Sequence, residues 1–222
     1  MAILLKNGAV FLHIPKTGGK WVIAALKEID LIKFNFSHNH SDMERTVNFH
    51  THFPWHFIRQ TIKHGYYLPK VRKAFKFCFV RHPLKYYESY YKFAMQLGWP
   101  ATMGKMPGKN DWHPNSPLYM EKPKNFNEFI RKIIKKHPGY VTELYSSYTS
   151  PNIDFIGKTE NLVEDLIKVL KLMDVSFDEE IVRNFPPQNV SKNPPEKIVW
   201  DEELKKEVLK LEYAAFVRYG YI

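Results

Sequence analysis

Cysteine is almost missing from this chain: Cys78 is the single one among 222 residues. No intramolecular disulfide can form, which fits a reducing compartment rather than a disulfide-stapled scaffold. Cys78 sits in an apolar run over 75–80, where packing explains it better than reactivity. Long apolar runs are missing too. None approaches the roughly 20 residues that a membrane-spanning helix needs, and the first residues lack the basic-then-apolar pattern of a secretion signal. A cytoplasmic protein without a membrane span is the expectation. Acid is in short supply, with 23 Asp and Glu against 33 Lys and Arg, a net charge of +10. That excess favours an anionic ligand, be it a nucleotide, an acidic glycan, nucleic acid or a membrane surface. What is plentiful is apolar and aromatic, 44% and 15% of residues, enough for a packed core. One domain over residues 1–222 is expected.

The densest chemistry lies in Val10-Phe11-Leu12-His13-Ile14-Pro15-Lys16-Thr17-Gly18-Gly19-Lys20-Trp21. An apolar strand over 9–14 runs into a Lys-Thr-Gly-Gly turn, and a helix over 19–29 follows at once. Glycines let backbone approach a ligand closely. The new helix aims free N–H groups and its positive dipole end at the same place. The turn is built for an anion, with Lys16 as countercharge.

Further along, residues 30–53 are polar and histidine-rich, and Val47-Asn48-Phe49 alternates as a strand would. A helix is expected over 54–65, a buried strand over 75–80, and a helix from Pro83 to about residue 97, since proline suits the first helical turn. Residues 98–124 lack periodicity and read as a long loop. Helices follow over 125–137, 159–173 and 201–219, with a short strand over 153–156 and an open loop over 186–195. No internal repeat appears. Strands alternating with helices predict an α/β fold, a central parallel sheet flanked by helices.

The turn is not a Walker loop. That motif needs Gly, four residues, then Gly-Lys-Ser/Thr. Here Ile14 stands at the first glycine and Trp21 at the hydroxyl, so the magnesium ligand of an ordinary NTPase is missing. The second strand-to-helix junction, Phe79-Val80-Arg81-His82-Pro83, carries its own cation. Arg81 can grip a phosphate bidentately, and Ser89 lies about 9 Å along the helix that Pro83 begins. Two anion sites at two strand ends call for a ligand with two separate phosphates.

These residues resemble a known family. His13-Ile14-Pro15-Lys16-Thr17-Gly18-Gly19 is similar to the 5′-phosphosulfate loop of sulfotransferases that use 3′-phosphoadenosine-5′-phosphosulfate (PAPS), and Arg81 with Ser89 to their 3′-phosphate site. Weaker echoes lie at Ile156-Gly157-Lys158-Thr159-Glu160-Asn161-Leu162, over 187–191 and over 216–221. The carbohydrate branch, with the heparan sulfate 2-O-sulfotransferases, and bacterial sulfotransferases are the most similar. The resemblance implies a P-loop-like nucleotide-binding core with PAPS as co-substrate and no metal. It makes Lys16 the group that stabilises charge on the leaving phosphate. Thr17, Gly18 and Gly19 would give backbone and hydroxyl contacts.

Trp21 matches a tryptophan that stacks on adenine, or is a core residue of the helix face. Lys20 replaces the family's usual Ser or Thr, as a second cation for the phosphosulfate or as a solvent-facing lysine. His82 stands where Asp or Asn is usual, so the helix cap is weakened or His82 has another role.

Six histidines, His38, His40, His50, His52, His56 and His64, fall within 27 residues. Neutral imidazole suits removal of a hydroxyl proton near pH 7. His50-Thr51-His52 matches the His-x-His pair of the carbohydrate branch, which assigns the base to His52 with His50 nearby; a carboxylate, Glu44, is the alternative. His52 and His56 have helical spacing for a metal, yet no Cys or acidic partner completes a zinc set. The reaction implied is in-line transfer of the sulfuryl group of PAPS to an acceptor hydroxyl, on a carbohydrate or a small metabolite. Trp99, Trp112, His113 and Tyr119 can stack on sugar faces or cover the core. The rival is a noncatalytic basic protein binding nucleic acid or an acidic polymer through Arg131, Lys132, Lys135 and Lys136. Such runs are more often solvated faces, and no nucleic-acid motif accompanies them.

Overall fold

The computed structural model describes residues 2–36, 41–47, 58–99, 113–188 and 198–222. Contacts divide the chain into two compact units, residues 1–80 with 146–188 and residues 81–145 with 189–222.

In the first unit one sheet has the order β3-β1-β2-β4-β5. Its strands are β1 (Ala2–Leu5), β2 (Val10–Leu12), β3 (Ile32–Asn35), β4 (Lys76–Val80) and β5 (Phe155–Lys158). β2, β4 and β5 are parallel, while β1 is antiparallel to both β2 and β3. The α/β fold is as expected, but the sheet is mixed, and the expectation of a parallel sheet holds only for those three strands. Residues 2–5 turn back onto β2 through a tight hairpin, closed by Leu5 N–H to Ala9 O at 2.8 Å and Gly8 N–H to Leu5 O at 3.0 Å. A hairpin needs no crossover, so an antiparallel edge costs the chain little.

Alternate strand residues share a face. Ile3, Leu5, Phe11, Phe77 and Phe79 form one core with α1 (Gly19–Glu28), α7 (Leu162–Leu172) and α8 (Glu179–Arg183), elements being numbered in chain order. α1 contributes Trp21, Val22, Ala25 and Leu26, and α7 contributes Leu166, Ile167, Val169 and Leu170. The Phe11 and Phe77 rings lie 5.2 Å apart. Each such side chain, fully buried, stabilises by about 1.5–3 kcal/mol. Cys78 is also fully buried, a packing residue as its surroundings suggested.

α2 (Met43–Val47) is a helical turn. The Thr46 N–H and hydroxyl both donate to Asp42 O, at 3.0 and 2.6 Å. Val47 therefore ends a helix and does not start the expected strand; Asn48 and Phe49 lie outside the described residues. α3 (Ile58–Lys73) runs beyond its expected end at residue 65. Lys76, 2% exposed, donates to Arg72 O in its last turn and to Ala74 O just beyond it, at 2.9 and 2.8 Å, and burial pushes the ammonium pKa down.

The second unit is helical: α4 (Pro83–Gln96), α5 (Phe126–Lys136), α6 (Tyr140–Tyr148), within which the chain returns to the first unit, α9 (Glu202–Leu211) and α10 (Tyr213–Arg218). Tyr86, Tyr87, Tyr90 and Tyr91 of α4 are all buried. Asn125 and Asp201 cap α5 and α9 by accepting from Glu128 N–H and Leu204 N–H, both at 2.9 Å, the expected use of short polar side chains. Trp99 is 3% exposed, packs on Tyr91 and Phe129 at 5.7 Å each, and donates Nε1–H to Met120 O. It covers the core and offers no face to a sugar; Trp112 lies outside the described residues.

The single helix expected over 201–219 is broken at Glu212. Its fully buried carboxylate accepts from Tyr87 Oη at 2.6 Å, Val141 N–H at 3.0 Å, Thr142 N–H at 2.8 Å and Thr142 Oγ1 at 2.7 Å. Four donors meeting one carboxylate hold α4, α6 and the α9–α10 junction together. Glu212→Gln turns an amide NH2 toward one pair of those donors, so stability falls by about 1–3 kcal/mol in denaturant unfolding; an unchanged midpoint would contradict this account.

Candidate active site

β2 ends at Leu12 and α1 begins at Gly19, so residues 13–18 make the turn. Two of them take left-handed backbone: Gly18 at φ 79°, and Lys16 at φ 67°. For lysine that conformation costs about 1–2 kcal/mol, which the rest of the turn must offset. Thr17 is 1% exposed, and its hydroxyl donates to Ile14 O at 3.0 Å. That proton closes the turn. Among the described residues no side chain caps α1, and no acid lies in its first turn. The helix's positive end therefore carries no countercharge of its own.

His13 explains the second glycine. Its ring is 6% exposed and lies beside that of Phe11, 6.2 Å between centroids. A Cβ on Gly19 would stand 1.9 Å from His13 Cδ2 and 2.4 Å from Nε2. Lys20 is exposed and makes no ion pair among the described residues. Trp21 is 6% exposed and packs edge-on to Phe185 at 5.9 Å. Of the two roles open to it, the core position is the one occupied, which leaves little ring surface for a nucleobase.

At the second junction, β4 pairs with β5 as far as Val80 and Lys158. The Thr159 hydroxyl then takes the Val80 carbonyl at 2.9 Å. Arg81, the next residue along the chain, belongs to the second unit. There the Tyr145 hydroxyl accepts from Arg81 N–H at 3.1 Å and donates to Arg81 O at 2.7 Å. His82 precedes α4 without a side-chain cap bond. Its ring meets Phe216 and Tyr221 edge-on at 5.0 and 5.3 Å. The cap is thus given up and the histidine packs against the C-terminal segment instead. Ser89 is half-buried on α4 and makes no hydrogen bond through its side chain among the described residues.

The structure thus places 16–18 in the turn and 19–20 at the start of α1 in the first unit, and sets Arg81 just before α4 and Ser89 two turns into it. His50 and His52, with His38, His40 and His56, lie outside the described residues, as does the side chain of His64. Glu44 is exposed on α2. Tyr145 and Glu212 support these junctions without any sequence signal, because they reach Arg81 and Tyr87 from 64 and 125 residues away, while Thr159, within the echo over 156–162, reaches Val80 from 79 residues away.

A family model described as "Sulfotransferase family" matches residues 3–221. The chain belongs to the sulfotransferase family. Sulfuryl transfer is therefore its chemistry in general terms. No curated protein and no solved structure matches it in the same comparisons. Among the described residues of this sulfotransferase, no group of three or more His, Cys, Asp and Glu could hold a metal ion, and no helix is long and apolar enough to cross a membrane. Two of the basic residues on α5 are paired, Arg131 with Asp201 at 3.0 Å and Lys132 with Glu128 at 2.9 Å, as on an ordinary solvated helix face.

Gly19→Ala is expected to destabilise the sulfotransferase by about 1–3 kcal/mol through overpacking, read as a lower midpoint in denaturant. A double variant with His13→Ala, which vacates the space, should recover part of what the clash costs; additive losses would exclude the clash as the cause.

Proposed function

We propose that this sulfotransferase transfers the sulfuryl group of PAPS to an acceptor hydroxyl. One observation carries the reading. β2 and β4 are hydrogen-bonded parallel neighbours, and each runs at its C-terminal end into a basic residue and then a helix, Lys16 before α1 and Arg81 before α4. In open α/β sheets, ligands bind outside the carboxyl ends of the strands. A nucleotide with phosphate groups at two positions matches two such basic ends; a singly phosphorylated ligand would need one. The donor chemistry also fits: an uncapped helix end with no acid in its first turn, backbone N–H groups and a lysine suit a dianionic phosphosulfate.

In this reading the N–H groups at Gly18 and Gly19 and the Lys16 ammonium hold the phosphosulfate, Lys20 adds a second cation, and Arg81 with Ser89 holds the 3′-phosphate. The acceptor oxygen attacks sulfur in line, an S–O bond forms, and the S–O bond to the 5′-phosphate breaks. Lys16 stabilises the charge that develops on the departing phosphate oxygen. His52, with His50 beside it in sequence, takes the acceptor's proton. The His50-Thr51-His52 pattern supports a carbohydrate hydroxyl as acceptor, with a small metabolite as the other choice.

Calorimetric titration with 3′-phosphoadenosine 5′-phosphate should show binding, and Arg81→Ala should weaken it about 10–100-fold, the worth of charge-assisted hydrogen bonds. No binding by the wild-type protein would overturn the reading. Turnover by His52→Ala should fall about 10²–10⁴-fold with nucleotide affinity kept; full turnover would move the base elsewhere.

A further inference from the structure

We propose that Tyr145, braced by the C-terminal segment, is the positioning residue that sets Arg81 for the 3′-phosphate, an inference that rests on the nucleotide reading above. A residue just past the end of a strand has lost its ladder partner, and its backbone N–H and C=O must find others. At Arg81 one side chain supplies both. One phenol hydroxyl occupies both backbone groups of the residue, accepting from N–H at 3.1 Å and donating to C=O at 2.7 Å. A single side chain thereby does for Arg81 what a neighbouring strand does for the residues of β4, and it fixes the direction in which the side chain leaves the main chain.

Tyr145 is itself held. It is fully buried. Its ring meets Tyr86 edge-on at 5.9 Å and Tyr219 at 5.5 Å. The first turn of α6, one turn before Tyr145, is anchored by the Glu212 carboxylate through Val141 N–H and Thr142 N–H. His82, the residue after Arg81, packs on the same segment, against Phe216 and Tyr221. Residues 212–221 therefore support Arg81 through Tyr145 and through His82. Pre-organisation of this kind lowers the cost of fixing a long, flexible cation on binding.

The test is a comparison of two nucleotides by calorimetry on the full chain, 3′-phosphoadenosine 5′-phosphate and adenosine 5′-phosphate, which differ in the group that Arg81 would hold. Tyr145→Phe keeps the ring and removes the hydroxyl. It is expected to weaken the first nucleotide about 5–10-fold, leave the second within twofold, and add nothing in an Arg81→Ala background. Equal losses for both nucleotides, no loss, or an additive loss with Arg81→Ala would overturn the proposal while leaving the nucleotide reading intact. A wild-type protein that does not prefer the doubly phosphorylated nucleotide would overturn both. Should Tyr145→Phe fail to fold, Tyr219→Leu, which removes a ring behind Tyr145, should reduce the same preference by a smaller factor, and an unchanged preference would count against the proposal.

Discussion

The parallel pairing of β2 with β4 is the constraint on which the rest depends. Its register, Val10 with Lys76, Phe11 with Phe77 and Leu12 with Cys78, brings the C-terminal ends of two neighbouring strands side by side although they are far apart in sequence. Each end then turns into a helix over a basic residue. Parallel pairing requires both faces of the strands to be covered, and here they are: every residue of β2 and β4 is buried. A buried, rigid strand holds the start of the turn that follows it still, and that is what the proposed nucleotide site asks of Lys16 after β2 and of Arg81 after β4.

The second unit meets a different demand. It has no sheet among its described residues, and four tyrosines on α4 fill its core with rings whose hydroxyls must be satisfied or left without a partner. Tyr87 gives its proton to Glu212 and Tyr86 to Asn115 at 2.9 Å. Tyr145 spends its hydroxyl on Arg81 and Thr142 its own on Glu212. A polar network in low dielectric is costly when incomplete and rigid when complete. Its completeness around Glu212 accounts for a helix break where propensity alone would continue the helix.

The sequence made the turn over 16–19, the junction at Arg81 and the helices from Pro83 and Asn125 legible, because glycine, proline and capping chemistry act over a few residues. Other features depend on partners far away in the chain. β1 reads as a bare apolar run, since both its faces are buried and no alternation marks it. α6 contains tyrosine, valine and threonine, poor helix formers whose state is decided by Glu212 from outside. Trp21 and Trp99 fit a ligand platform or a core position equally well by residue type, and burial alone decides between those. Thr17 is legible as a turn residue, yet the direction of its hydroxyl, toward Ile14, is a matter of turn geometry that residue order does not encode.

The central claim is sulfuryl transfer from PAPS with Lys16 bearing the developing charge. The most direct measurement is transfer of labelled sulfate from PAPS to a panel of carbohydrate and small hydroxyl acceptors, by the wild-type protein and by Lys16→Ala. The account predicts label on at least one acceptor class, with a rate about 10²–10³-fold lower for the variant. Equal rates for the two proteins, or nucleotide binding without label on any acceptor, would contradict it.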